Sequence, residues 1–247
     1  QQLNHVVLKI PLGDRVVWME CTNPRIPLGY THEGIAGHDA VEITAAAGKV
    51  VTLPDYPDSL NLRSTEVNLN LLPGSGMADV RINDNYYMHS YAQMAEWAYE
   101  GEREQKNLAG ALYDMPFAEV KEAKCQVHDS VMPRTEIAVA SRAQVARTTG
   151  SRLFVKPNLL HKNFAKESIS ENREQEVWFG RGMKNIERMT LVLPDSVSIE
   201  SLPKDVRVDN EIGFFSSKTS VSGRTIVTTN VFMLHRGTYS KDKAALF

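Results

Sequence analysis

The chain has 247 residues, enough for two domains, and its 42% hydrophobic and 23% charged residues are the balance of a globular protein with a buried core. A formal net charge of −2, with both signs spread along the chain, excludes the clustered basic surface that nucleic acid or an anionic membrane would need. No apolar run approaches the length of a membrane span, and no signal peptide is visible.

The chain opens on Gln1-Gln2 and a strand pattern begins by Leu3, so a processed or truncated piece of a longer protein is expected. Leu3 to Leu12 alternates with period two, Gly13-Asp14 punctuates it, and Arg15 to Thr22 alternates again, which predicts a hairpin. Residues 23–39 hold Pro24, Pro27, Gly29, Gly34 and Gly37 and read as a loop. Ala40–Thr44 and Lys49–Leu53 predict a second strand pair around Gly48, and Pro54, Pro57 and the polar run to Ser64 a linker. Val67, Leu69 and Leu71 alternate up to the turn Pro73-Gly74-Ser75-Gly76, and a long strand region is predicted from Met77 to about Ala98. One helix is predicted at Glu102–Tyr113, closed by Pro116. Glu136–Arg147 and Arg152–Lys156 read as strands, and residues 157–175 as polar and irregular. Ile186–Leu193 and Ser196–Leu202 follow as strands, and Ile212–Val221 pairs with Arg224–Leu234 across Ser222-Gly223.

The first hairpin carries the chemistry. If Gly13-Asp14 is a two-residue turn, Val7 lies opposite Glu20 and His5 opposite Thr22. One face then gathers Val6, Leu8, Ile10, Val17, Met19 and Cys21, all able to sit in a core. The other holds His5, Val7, Lys9, Trp18, Glu20 and Thr22, with His5 and Glu20 as diagonal neighbours in side-chain reach. A carboxylate that fixes an imidazole leaves the other ring nitrogen free to activate a thiol. This register points Cys21 into the core, away from His5, and so excludes it as the nucleophile. Cys21 and Cys125 make no disulfide framework; they read as buried strand thiols, a single bridge between them being the other arrangement open to them.

Asn4-His5-Val6-Val7, then Val17-Trp18-Met19-Glu20-Cys21-Thr22, then Pro27-Leu28-Gly29-Tyr30 together resemble the end of the catalytic core in transglutaminase-like proteins of Bacteroidetes type. That family has Asn-His opening a strand, a Trp-Leu-Asp/Glu-x-Thr strand, and Pro-Phe-Gly-Tyr. The resemblance implies that His5 is the catalytic histidine and Glu20 the third member of a Cys–His–acid site. Glu20 replaces the commoner aspartate, with a looser geometry expected of the longer side chain, and Leu28 replaces phenylalanine. The family's nucleophilic cysteine and oxyanion donors lie upstream of any residue here. The order of elements over residues 66–247 also resembles the β domain that follows such cores.

Other candidates are weaker. His32-Glu33 and His38-Asp39 have the wrong spacing for metal ligands and read, with Gly34 and Gly37, as a solvated loop. His89, His128, His161 and His235 are isolated, and Tyr86, Tyr87, Tyr91, Trp97 and Tyr99 read as packing aromatics. No cofactor and no metal is expected.

The expected fold is mainly β: a hairpin remnant of a transglutaminase-like (papain-type) core over residues 1–54, a linker over 55–65, and a β-sandwich-type domain with one short helix over 66–247, with a division near 160–175 left open. The expected function is the C-terminal part of a cysteine enzyme that transfers or hydrolyses amide acyl groups through a thioester, inactive by itself because the thiol lies upstream. Its partners would be a peptide or protein substrate and the upstream half of the core, and the resemblance implies an extracytoplasmic setting. The alternative is a non-catalytic cell-surface β module with a vestigial hydrolase-like start.

Overall fold

Strands with alternating burial dominate the chain, which is mainly β. The structure, a computed structural model, describes residues 5–113, 115–116, 118–155, 174–241 and 243. The chain begins with the hairpin β1 (Val7–Leu12) and β2 (Arg15–Glu20). Its register is the expected one, with Val7 opposite Glu20 and Leu12 opposite Arg15. Gly13, at φ 59°, occupies the first central position of the turn, where a left-handed backbone suits the twist of the two strands. A loop then leads to a second hairpin, β3 (Asp39–Ile43) and β4 (Gly48–Thr52).

Beyond these hairpins lie β5 (Leu62–Leu71), β6 (Met77–Tyr87), α1 (His89–Ala95), α2 (Glu102–Leu112), β7 (Glu119–His128), β8 (Arg134–Gln144), β9 (Ala146–Thr149) and β10 (Arg152–Val155). Then come β11 (Val177–Phe179), β12 (Met183–Val192), β13 (Val206–Asp209), β14 (Gly213–Ser222), β15 (Thr225–Leu234) and β16 (Gly237–Tyr239). Eight of these strands form one mixed sheet in the order β13-β14-β15-β12-β5-β6-β8-β7, antiparallel except for the central pair β5 and β12. A sandwich of two packed sheets was expected here; the described strands form one large mixed sheet, with the two-stranded pairs β9–β10 and β11–β16 outside it.

Period two decides which face of the sheet is buried. Val67, Leu69 and Leu71 of β5, Val80 and Ile82 of β6, Ile137 and Val139 of β8, and Met189 and Leu191 of β12 all point to one side. Ala109 of α2 and Tyr113 just after it close over that side, and Leu153, Val155 and Val197 pack at its flank. Each large apolar side chain buried there stabilises the fold by about 1.5–3 kcal/mol. Among the described residues the same face buries two acids, Asp84 and Glu187. Asp84 is fully enclosed and accepts from Arg63 Nε (3.1 Å), Arg63 Nη2 (2.7 Å), Thr65 Oγ1 (2.8 Å), Tyr86 Oη (2.9 Å) and Tyr113 Oη (3.1 Å). This ring of donors is what makes an acid tolerable in a core.

Four expectations are corrected. The strand expected from Met77 to Ala98 ends at Tyr87: Met88 takes φ 53°, donates its N–H to Pro133, and α1 follows. The buried set Met88, Tyr91 and Ala95 has helical spacing, so the described residues hold two α-helices where one was expected. Ser196–Leu202 is not a strand: the chain turns at Asp195-Ser196, where the Val197 N–H donates to the Pro194 carbonyl, and runs on without pairing. The hairpin face expected to be core is only partly covered: Ile10, Val17 and Met19 are half-buried, but Val6 and Leu8 are exposed and Cys21 is an exposed free thiol. Cys125 is buried as expected, and the two cysteines are not bridged.

The segment expected as linker, 55–65, holds a short 3-10 turn at Asp58–Leu60 and the first residues of β5. Arg236, after β15, clasps it by bonding Asp58 (2.7 Å), Asp55 and the Tyr56 carbonyl. Residues 156–173, and with them most of the expected irregular stretch and His161, lie outside the described residues. No helix among the described residues is long and apolar enough to cross a membrane.

Candidate functional site: a histidine–carboxylate cluster

Glu20 is the last residue of β2, and His5 stands two residues before β1, so both side chains leave the same face of the hairpin. His5 Nε2 lies 2.7 Å from Glu20 Oε2. The glutamate carboxylate is 1% exposed and the imidazole 27% exposed. The expected diagonal neighbours are thus in direct contact.

The other carboxylate oxygen is held by the turn after β2. Glu20 Oε1 accepts from the backbone N–H groups of Cys21 (3.0 Å) and Thr22 (2.7 Å) and from the Thr22 hydroxyl (2.5 Å). The longer acid does not loosen the geometry, because it folds back onto its own backbone and is pinned there. Burial pushes the Glu20 carboxyl up, but the hydrogen bonds from Thr22 and His5 and the charge of His5 outweigh it and hold the group at about 2. Glu20 is a fixed anion.

A third residue joins the pair. His32 Nε2 lies 3.2 Å from the same Oε2, and the His32 ring meets the His5 ring edge to face with centroids 5.6 Å apart. The loop expected to be solvated thus folds over the hairpin, half burying His32. Its backbone turns tightly, with Ile35 and Ala36 donating to the His32 carbonyl at 3.1 and 2.9 Å. The Gly34 N–H donates to His32 Nδ1 at 3.1 Å, which makes Nδ1 an acceptor and puts the ring proton on Nε2, facing Glu20.

Donor atoms of His5, Glu20 and His32 lie within 4.8 Å of one another, the spacing of a divalent ion's ligands. The His32 tautomer argues against that use. A ligating Nε2 must give up its proton, and the neutral ring then carries it on Nδ1, where the Gly34 N–H already points. The cluster is built as a hydrogen-bonded network. Cys21 Sγ is not one of the cluster's donor atoms and lies 3.6 Å from the Met19 carbonyl, exposed rather than in the core that was expected to hold it.

The large sheet holds the loop from behind. Arg181, between β11 and β12, donates through Nη2 to the carbonyls of Glu33 and Ala36, the latter at 3.5 Å, and through Nη1 to His89 Nε2 at 3.0 Å. His89 is buried, and its Nδ1 stands 3.5 Å from the Tyr30 hydroxyl. Burial first, then the charge of Arg181, hold the His89 ring down to about 4, so it stays neutral. The Thr31 N–H donates to Tyr56 Oη at 2.9 Å, and Tyr30 and Tyr56 stack. Residues 30 to 36 are therefore tied to the sheet on both sides of His32.

Residues 151–246 match the family described as Domain of Unknown Function with solved-structure structure (DUF3858). No curated protein and no solved structure matches the chain. The match leaves His5, Glu20 and His32 outside it but contains both Arg181 and Arg236.

The sequence brought forward His5 and Glu20, weighed His32 only as a metal ligand of the wrong spacing, and did not single out Thr22 or Arg181. Thr22 had a local signal, a hydroxyl residue two positions after the acid, where a side chain can bond the preceding turn. His32 and Arg181 had none. His32 meets Glu20 only because a Gly-rich loop folds back, and Arg181 lies 148 residues from Glu33.

Proposed function

We propose that this chain supplies the imidazole and the orienting acid of a transglutaminase-like Cys–His–acid site acting on amide bonds of a peptide or protein. The observation that carries this reading is the 2.7 Å contact of His5 Nε2 with a buried glutamate anion, on a histidine still 27% exposed. With Nε2 engaged, Nδ1 is the nitrogen left to work on a thiol. The thiol would come from sequence preceding His5, because Cys21 stands outside the cluster and Cys125 is buried under the sheet.

The chemistry assigned to the pair is a two-step acyl transfer. The thiol proton passes to His5 Nδ1 and the thiolate attacks the amide carbonyl. The imidazolium returns that proton to the departing amine as the C–N bond breaks, which leaves a thioester. Water or a second amine then attacks the thioester, giving its proton to Nδ1, and the thiol is restored when the carbon–sulfur bond breaks. Throughout, Glu20 stays ionised, holds the ring in one tautomer and stabilises the imidazolium.

The test is an assay of the chain extended by the sequence that precedes it in its gene. Release of ammonia or amine from glutamine-containing and ordinary peptides should be measured beside incorporation of an added primary amine. His5→Ala should lower turnover by at least about a thousandfold and Glu20→Gln by about a hundredfold or more. Turnover that survives His5→Ala would refute the reading.

A further inference from the structure

We infer that His32 is a positioning residue that caps the His5–Glu20 pair, and that Arg181 is the residue that keeps it there. This inference rests on the reading of His5 and Glu20 as the working pair. It extends that reading to a histidine that no motif marked and to an arginine from the segment that matches a family of unknown function.

Three observations support a cap. The Nε2 of His32 stands 3.2 Å from the oxygen that His5 bonds, so Glu20 Oε2 faces two imidazole rings while Oε1 accepts three hydrogen bonds. The His32 ring stands edge-on to the His5 ring, interplanar angle 81°, and fixes the direction in which His5 presents Nδ1. With His32 in place the carboxylate is 1% exposed, so water has little access to the His5–Glu20 hydrogen bond. A carboxylate open to water would exchange one imidazole donor for solvent and let the ring swing.

Arg181 then explains why a Gly-rich loop can hold a ring still. A loop with Gly34 and Gly37, the latter at φ 74°, gains much conformational freedom when released. The guanidinium fork spends its donors on two carbonyls of that loop and on His89 Nε2, a geometry that a lysine ammonium cannot reproduce. Asp55, with a carboxylate oxygen 3.7 Å from Arg181 Nη1, supplies the nearby negative charge. The β unit is thus a working part of the site's scaffold, and an independent module tethered to a catalytic core would not make these contacts.

The experiment is nuclear magnetic resonance of the ¹⁵N-labelled chain at about pH 8, above the ordinary histidine range. It reads the ring tautomers and the solvent exchange of the His5 Nε2 proton. In the unaltered chain both His5 and His32 should show the Nε2-protonated pattern with a visible His5 Nε2–H signal. His32→Ala should raise the exchange rate of that proton about tenfold or more while leaving it measurable, and His32→Gln, which keeps a donor, should restore the slow rate. Arg181→Met, or the milder Arg181→Lys if the first fails to fold, should raise the exchange rate about tenfold or more, and should add nothing in the His32→Ala background. An unchanged exchange rate in His32→Ala, or an Arg181 effect of equal size with and without His32, would overturn the proposal. A His5 signal missing from the unaltered chain would instead mean that the His5–Glu20 pair is not formed, which fails the underlying reading as well.

Discussion

Thr22 grips Glu20 twice, through its backbone N–H at 2.7 Å and its hydroxyl at 2.5 Å, and so fixes the acid that His5 depends on. Because the folded carboxyl is lowered from 4.5 to about 2, the unfolded chain binds the extra proton between those values. The stabilisation is complete above about pH 4.5 and disappears as the pH falls toward 2. Urea midpoints measured across that window should fall steeply for the unaltered chain and less steeply for Thr22→Val, which should also cost about 1 kcal/mol at neutral pH. Identical acid limbs for the two would show that Thr22 does not hold the carboxylate.

Asp84 is the acid on which the sheet's interior depends. Replacing it with alanine strands Arg63, whose pKa that carboxylate helps to raise, together with two buried tyrosine hydroxyls. A loss of about 3–5 kcal/mol is expected in denaturant unfolding. Tyr113→Phe removes one donor of the ring and should cost about 1 kcal/mol. Equal, small effects would mean that the ring of donors contributes little.

The first hairpin was legible because its information is local: a two-residue turn at Gly13-Asp14 and strict alternation fix the register, and the register puts His5 beside Glu20. The long strands β5, β12, β14 and β15 were legible for the same reason. Helix α1 was hidden by Tyr86, Tyr87 and Tyr91, whose strand preference masked the helical spacing of Met88, Tyr91 and Ala95. Ser196–Leu202 has strand-like alternation but pairs with no strand, and pairing is a long-range fact that alternation does not carry. His32 was illegible because its place is set by Arg181 and Tyr56, distant residues that hold the loop backbone.

His89 provides a second pH signature at the joint between loop and sheet. Its folded value is lowered from 6.5 to about 4, so the unfolded chain binds the extra proton between them and stability falls as the pH drops through that range. The stabilisation is whole above about pH 6.5. His89→Gln should flatten the stability profile between pH 6.5 and 4, and a ring titration of the unaltered chain near 6.5 would contradict the burial argument.

Thiol labelling separates the cysteines. Cys21 is exposed and should react with a maleimide within minutes in the native chain, whereas Cys125 is buried, with burial pushing its thiol up to about 11, and should react only on unfolding. Two fast thiols per native chain would contradict the fold.

The most direct test of the central claim uses a Cys21→Ser version of the chain extended by its preceding sequence. The rate of iodoacetamide alkylation of the remaining reactive thiol is measured against pH. If His5 is the base that Glu20 orients, the thiol reacts as a thiolate well below pH 7, and His5→Ala returns the profile to the ordinary cysteine range near about pH 8.5. An alkylation profile already centred near about 8.5, and unchanged by His5→Ala, would contradict the account.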